Sequence, residues 1–359
     1  MTHHASRKIA VIGAAGHTGR FVVAELLRRG AAPVAVGRDR NRLIAAGFPP
    51  QQVELREASA DVQASLDLAF DGVDAVINCA GPFLDTARPV ASAALRAGIH
   101  YLDVSAEQAS TAAIYEEFGV AAREAELVFL PAMAFFGGFP DLLLSALVEN
   151  EPDISDVTIA IALDHWHPTE GTRRTGRRNT APRLQISGGE LVPLAQPLEE
   201  AQWDFPAPFS RQRVVDLPFS EVPVIARHLR LSRLRTYLTS NALADIRDPE
   251  TPSPVPVDQT GRSAQKFLVE VVGHSASATR RLSAAGQDIY AFTAPLVGEA
   301  IERILDGRIR AFGAQAPGGV FDAASFLKSL AAHGLVTRAE IAPDDERDRP
   351  HSAMGDRAR

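Results

Sequence analysis

The sequence predicts an α/β chain in which a doubly wound parallel sheet is followed by a second, α+β domain with a mixed, largely antiparallel sheet. Three features predict it. An apolar run, Ile9 to Ile12, meets glycines at positions 13, 16 and 19 and then a helical pattern; short apolar runs alternate with helical stretches as far as Leu130; beyond Pro152 the pattern changes to alternating polarity. Strands and helices in alternation with short connections imply right-handed crossovers and parallel pairing. Alternate apolar and polar residues suit an open, antiparallel sheet.

Ile9 to Ile12 reads as a buried strand. Thr18 to Arg29 reads as a helix with Phe21, Val22, Leu26 and Leu27 inward, closed by Arg28, Arg29 and Gly30. Val34 to Val36 is the second strand, Asp39 caps a short helix through Ala46, and Val53 to Leu55 extends again. The alternation continues with helix Val62 to Phe70, strand Ala75 to Cys79, helix Ala87 to Ala97, strand Tyr101 to Val104, helix Ser110 to Glu126 and strand Leu127 to Leu130. After Pro131, Pro140 reads as the first residue of a helix running to Leu147. From Val157 to Asp164 apolar residues take one parity, which predicts a half-exposed strand, and similar stretches recur at Arg183 to Ser187, Gln212 to Leu217, Leu234 to Ser240, Lys266 to Val272 and Thr279 to Ala284. Gly188-Gly189 reads as a hairpin turn, and Pro249 to Asp258 as a surface loop. Tyr290 to Leu305 and Ala323 to Ala332 are the last helices, the second capped by Asp322 and stopped by Gly334.

Composition narrows the function. The 359 residues carry a net charge of −7 and no basic arm, so nucleic acid is not an expected partner. The single cysteine, Cys79, can close no intramolecular disulfide, which fits a reducing compartment. Met1 to Lys8 is polar and eighteen consecutive apolar residues occur nowhere, so the expectation is a cytoplasmic chain with neither signal peptide nor membrane span.

The glycine turn predicts a bound anion. A strand, a glycine-rich turn and a helix put unpaired backbone N–H groups against a phosphate, and missing side chains let a pyrophosphate approach. Gly13, Ala15, Gly16, His17, Thr18 and Gly19 are the cofactor residues expected there, in a Rossmann-type domain. An acid at the end of the second strand would accept from a ribose 2′-hydroxyl, and an arginine would meet a 2′-phosphate. Arg38 falls at that place and Arg40 follows, so the turn predicts NADP(H); the alternative makes both solvated loop cations. At the end of the fourth strand, Asn78, Ala80, Gly81 and Pro82 form a turn suited to pass beneath the cofactor's ribose. Cys79 reads as packing, because no cation is expected beside it.

The stretches VIGAAGHTGR, DAVINCAGPF, ALRAGIHYLDVSAE, TEGTRRTG and QDIYAFTAPLVGEAIERIL together resemble the saccharopine dehydrogenase-like oxidoreductases, a family that includes saccharopine reductases and trans-acting enoyl reductases. The likeness runs over most of residues 8 to 335. It implies an N-terminal Rossmann domain, a mixed-sheet second domain, terminal helices that pack back, NADP(H) as hydride carrier and a homodimer. Domain limits on this basis are 1–135 for dinucleotide binding, 136–286 for substrate and 287–340 for the terminal helices; from 343 to 359, charge and the absence of an apolar face predict a disordered tail. Ala106 departs from the glycine many members have before the counterpart of Glu107.

Hydride transfer needs an acceptor held against the nicotinamide, a clamp for substrate charge and a proton donor or acceptor. Tyr101, Asp103 and Glu107 stand at the end of the fifth strand, where acids serve either chemistry or helix capping. Phe136, Gly137 and Gly138 border the pocket or form a hinge. Beyond the first alternating strand, His165 and His167 share one parity and either could serve as general acid, with His167 the catalytic candidate. Arg173, Arg174, Arg177 and Arg178 read as a loop that clamps an anion, with Arg173 the candidate catalytic cation, or as a solvated loop. Tyr290 reads as core packing beside the cleft. Two histidines without a third ligand predict no metal. The predicted activity is NADP(H)-dependent reduction or oxidation of a C=N or activated C=C bond in a small or carrier-bound anionic substrate. Two alternatives remain: a short-chain-dehydrogenase carbonyl reductase, which the absence of a Tyr-x-x-x-Lys pair opposes, and a non-catalytic NADPH-binding regulator.

Overall fold

The computed structural model of the chain describes residues 7–149, 151, 153–275, 278–343 and 351–352. The first part runs β1 (Lys8–Ile12), α1 (His17–Arg28), β2 (Ala32–Gly37), α2 (Arg40–Ala45), β3 (Glu54–Glu57), α3 (Gln63–Ala69), β4 (Ala75–Asn78), α4 (Phe83–Ala97), β5 (His100–Asp103), α5 (Gln108–Glu124) and β6 (Val128–Leu130). All pairings among these strands are parallel, in the order β3-β2-β1-β4-β5-β6, and Gly313–Ala314 adds a seventh strand beside β6 from much later in the chain. Central strands buried on both faces need continuous apolar runs, and β4 has every residue buried. The doubly wound expectation holds.

Local signals place the helices. Asp39 caps α2 by accepting from the N–H groups of Asn41 and Arg42. Gly98 ends α4 in a left-handed conformation that other residues adopt at a cost. α4 begins four residues earlier than its apolar pattern suggests, because its first turn is held by an acid outside the helix, Glu107.

The second part follows a crossover after β6: α6 (Gly138–Val148), β7 (Asp156–Leu163), α7 (Glu170–Arg178), β8 (Leu184–Ser187), β9 (Glu190–Pro193), β10 (Glu200–Asp204), β11 (Arg211–Asp216), α8 (Glu221–Ala226), β12 (Arg233–Thr239), α9 (Ser240–Arg247), β13 (Lys266–His274) and β14 (Ala278–Gln287). Then come α10 (Ile289–Leu305), β15 (Gly313–Ala314), α11 (Pro317–Val320), α12 (Ala323–Ser329), β16 (Val336–Pro343) and β17 (His351–Ser352). The second sheet has the order β16-β14-β13-β7-β12-β11-β10-β17, with the β8–β9 hairpin attached to β12. Among the described residues only β7 and β12 of this sheet pair in parallel, and its other pairs are antiparallel. The mixed, largely antiparallel sheet is as expected.

Two features differ from expectation. β7 is buried along both faces rather than half-exposed, because the face bearing Ala160 and Ala162 is covered by Trp203, Phe205, Tyr237 and Leu268. Trp203 Nε1 reaches across the curled sheet to donate to Glu270 at 2.8 Å. Val336–Pro343, without an apolar face, forms an eight-residue strand whose register is set by β14. Of the tail, only His351–Ser352 is among the described residues beyond 343, as a short strand on β10.

One core joins both parts. Leu130, Phe139 and Leu142 share it with Ile159, Ile161, Phe267 and Val269 of the second sheet and with Phe292, Leu296 and Ile301 of α10. α10 returns to α1 through a charge cluster: Arg29 meets Glu25 at 2.7 Å, Glu299 at 3.0 Å and Glu302 at 2.5 Å. Burial works to raise the Glu25 and Glu299 carboxyls, but bonds from Arg28 and Arg29 to the first, and from Arg303 and Arg29 to the second, hold both below the usual carboxylate value. Breaking a mostly buried pair leaves a charge uncompensated, so Arg29→Met should cost about 3 kcal/mol of stability. A lowered folded pKa gives stability that is present above the unfolded value and lost as pH falls through the folded one. Thermal melts of both proteins should therefore show a gap that is full at neutral pH and shrinks below the ordinary glutamate value of 4.5.

Candidate functional site

The site starts where β1 ends. Gly13 and Ala14 both donate to the Val36 carbonyl, at 2.9 and 3.3 Å, which locks the turn to β2. Gly13 has φ +75°, and a Cβ there would lie 3.0 Å from the backbone of Ala80, so the turn packs against the end of β4. At Gly19 a Cβ would come within 2.3 Å of the Gly13 carbonyl, so only glycine lets α1 rise this close to the turn. α1 has Gly16 as its N-cap with no side-chain bond, and the N–H groups of His17, Thr18 and Gly19 have no acceptor among the described residues. Such an end attracts an anion. The His17 ring packs edge-on to Phe21 and Tyr290; its Nε2 is buried without a partner, and burial lowers its pKa.

Arg38 and Arg40 lie exposed past β2 with no protein partner among the described residues, while Asp39 is committed to α2. This cradle of glycines, open amides and unpaired arginines fits a phosphorylated dinucleotide. Asn78 is fully buried. Its Oδ1 accepts from Ala80 N–H at 3.0 Å and its Nδ2 donates to Thr86 Oγ1 at 3.2 Å, so it shapes the Ala80-Gly81-Pro82 turn from inside.

The acids at the end of β5 have structural partners. Glu107 accepts from Phe83 N–H at 2.7 Å and Leu84 N–H at 3.2 Å, placing negative charge at the start of α4. Burial raises its pKa against those bonds. The fully buried Tyr101 donates its hydroxyl to Asp103 at 2.7 Å, and Asp103 also accepts from Ser105 and Ala132 N–H at 2.9 and 2.8 Å. Burial pushes both of these groups up. Neither Tyr101 nor Asp103 reaches the cleft surface. The Cys79 thiol is likewise raised by burial, which keeps it unreactive.

Across the cleft, the arginine-rich stretch is a helix rather than a loop. In α7 Thr169 caps by accepting from Thr172 N–H at 3.1 Å, yet none of the nine residues is buried. The helix is held by polar contacts instead. The half-buried Tyr290 accepts from Trp166 Nε1 at 2.9 Å and Thr169 N–H at 3.3 Å, and shares a bond with Thr172 Oγ1 at 3.0 Å, so it does more than pack. Arg178 meets Asp85 at 2.9 Å, and a Cβ on Gly81 would touch Thr175 Oγ1 at 2.8 Å. α7 thus lies directly on the Gly81-Pro82 turn. Arg173 faces the other way and donates to the carbonyls of Asp248 and Thr251. Arg174 and Arg177 are exposed with no partner among the described residues. His167 keeps a partly exposed ring 4.3 Å from that of His165, and burial followed by that neighbour lowers its pKa.

The sequence reading placed Phe136 at the pocket border or a hinge but missed the rings it packs against. Phe136 stacks on Trp166 at 5.0 Å and on Phe219 at 4.4 Å, and the Arg183 guanidinium lies 4.7 Å over the Phe219 ring. Trp166 and Phe219 lie far from Phe136 in sequence, so only tertiary packing brings the three rings together. Among the described residues no group of three His, Cys, Asp or Glu could hold a metal, and no helix is long and apolar enough to cross a membrane.

Residues 9–127 match the family model of the saccharopine dehydrogenase NADP binding domain. The chain is 31% identical over 114 residues to a saccharopine dehydrogenase-like oxidoreductase of Arabidopsis thaliana, a stretch that is 28% of this chain and 25% of that protein. It is 27% identical over 145 residues to a saccharopine dehydrogenase-like oxidoreductase of Bos taurus, 35% of this chain and 34% of that one. The matched stretches thus span a quarter to a third of those relatives' length. Saccharopine dehydrogenase (L-Glu forming) from Saccharomyces cerevisiae shares the fold, with a TM-score of 0.67 over 94% of this chain and 100% of that one, at 10% identity.

Removing the Tyr290 hydroxyl would leave Trp166 Nε1–H without its acceptor, a loss of about 1–3 kcal/mol for a buried donor. Tyr290→Phe should fold, but with α7 loosened from the turn. Limited trypsin digestion should cut after Arg174 and Arg177 several-fold faster than in the wild type; equal rates would show that α7 is held by other contacts.

Proposed function

We propose that this chain, which belongs through residues 9–127 to the saccharopine dehydrogenase-like family, is an NADP(H)-dependent oxidoreductase acting on a C=N or activated C=C bond of a small or carrier-bound anionic substrate. The observation that carries this reading is the anion cradle: open amides at the start of α1, close-packed glycines, and Arg38 and Arg40 with no protein partner. NADP(H), held there, supplies or receives the hydride.

The protein's own residues bind, orient and exclude water. The first-turn amides of α1 take a phosphate and Arg38 takes the 2′-phosphate. Asn78 and Glu107 fix the turn below and α7 covers it, which keeps water from the reacting bond. Tyr101 and Asp103, being enclosed, hold the crossover in place. Proton exchange falls to the ring of His167, which is partly exposed and which burial holds toward its neutral form. The single thiol and the net charge of −7 fit a reducing compartment and a ligand other than nucleic acid, and the family resemblance adds the expectation of a homodimer.

A charge-assisted bond to phosphate contributes about 1.5–3 kcal/mol, or roughly one to two powers of ten in affinity. A fluorescence titration should show NADPH binding more tightly than NADH, and Arg38→Ala should weaken NADPH at least tenfold while leaving NADH nearly unchanged. If the wild type bound neither nucleotide, the oxidoreductase reading would fall.

A further inference from the structure

An open strand edge is a template for another chain, and folded proteins blunt theirs. Most edges of this protein are blunted. β15 has two residues, β3 is four residues carrying Glu54, Arg56 and Glu57, and β9 is a four-residue strand ending in Pro193. β10 is covered by the two residues of β17. β16 differs. It runs for eight residues at the end of the second sheet and pairs with β14 without a break, from Val336 opposite Ala285 to Pro343 opposite Ala278. On its other side it meets no strand among the described residues. Val336 to Ile341 are all exposed, and the apolar Val336 and Ile341 are open to water by 67% and 68%.

Charges of one sign on such an edge would repel a second copy. β16 instead carries one of each, Arg338 and Glu340, two residues apart on one face and 3.1 Å from each other. Along an antiparallel edge the residues whose N–H and C=O point outward alternate, and they must face outward residues of an added strand. The registers open to two antiparallel copies of β16 are therefore two residues apart. With Ala339 opposite Ala339 of the second copy, Arg338 faces Glu340, Glu340 faces Arg338 and Thr337 faces Ile341. The next register on either side sets Arg338 against Arg338 or Glu340 against Glu340. In its central register this edge is thus complementary to itself.

We propose that β16 is the contact edge of a homodimer, in which two copies join strand to strand across a twofold axis at Ala339 and carry the second sheet through both subunits. This rests on the homodimer expected from the family resemblance and gives it a place in the fold. The same patch meets itself, as a twofold pair requires. Main-chain hydrogen bonds supply the affinity. Arg338 and Glu340 of both copies form a ring of four charges alternating in sign, which fixes the register. One eight-residue edge buries less than the roughly 1,200 Å² of a standard interface, so the pair is reversible and dilution separates it.

Analytical ultracentrifugation of the full chain over a dilution series should show a monomer–dimer equilibrium. Arg338→Glu, and separately Glu340→Arg, turn both cross-strand pairs into like-charge pairs and should weaken the dimer about tenfold. The two changes made together exchange the charges and should restore it. Both side chains are exposed, so these variants should fold as the wild type does. A cysteine on the axis reads the register. In a Cys79→Ala background, Ala339→Cys should form a covalent dimer under mild oxidation, because facing residues lie about 4.5–5.5 Å apart. Thr337→Cys, which faces Ile341 of the second copy, should not. A wild type that stays monomeric at every concentration removes both the homodimer and its edge. A dimer that ignores the single charge reversals, or that Thr337→Cys links as readily as Ala339→Cys, leaves the homodimer standing and overturns β16 as its interface.

Discussion

One buried carboxylate fixes how the two halves of this protein meet. Asp103 closes β5, and its oxygens accept from Tyr101, Ser105 and Ala132 while its own carbonyl accepts from Met133 N–H at 2.8 Å. These bonds tie the last residue of a sheet strand to the crossover from which α6 and the whole second sheet depart. The segment that follows carries Phe135, Phe136 and Phe139, which pack with Phe267 and Phe292 into one aromatic cluster across the junction. A buried carboxylate with three donors is stable only while all three stay in place. The direction in which the second domain leaves the first is therefore set at the same strand end that borders the cofactor turn.

The resulting cleft has two walls of opposite kind. Its floor is backbone: glycine turns, open amides and the Asn78-braced bend, with almost no side chain that could shift. Its roof is polar and shallowly held, since α7 buries none of its residues and depends on the Tyr290 hydroxyl, Thr175 and Arg178. Glycine and threonine give that helix little intrinsic stability, so its order comes from what it lies on. Tyr290 touches both walls, with its hydroxyl on the Trp166–Thr172 segment and its ring edge on His17 of the glycine turn. Occupancy of the turn and placement of the roof are thus joined through one side chain.

Periodicity made most of the fold readable, because β1, β2, β4 and β6 are short apolar runs and α1 and α10 present an apolar stripe. Asp39, Asp322 and Gly334 marked helix ends correctly because capping is a local interaction. α7 and β16 were unreadable for the opposite reason: TEGTRRTGRR and VTRAEIAP carry no apolar face, and each takes its shape from a tertiary neighbour. The cradle at Gly13 to Gly19 was legible because its chemistry lies in the backbone. Glu107 and Arg173 were not, since an acid or arginine beside a strand end looks the same whether it serves a ligand, a helix start or a loop carbonyl. Burial and partners decide that, and neither is written locally.

The same reasoning bears on electrostatics. A chain with net charge −7 would repel an anionic ligand at long range. Its pairing pattern concentrates the remaining positive charge, because arginines elsewhere in the core are neutralised by glutamates, whereas the exposed Arg38, Arg40, Arg174 and Arg177 around the cleft have no partner among the described residues. At physiological ionic strength, charges beyond about 8 Å are largely screened, so the ligand responds to this local set more than to the total. An overall acidic protein can in this way present a phosphorylated cofactor with a local set of exposed cations, where affinity must remain reversible.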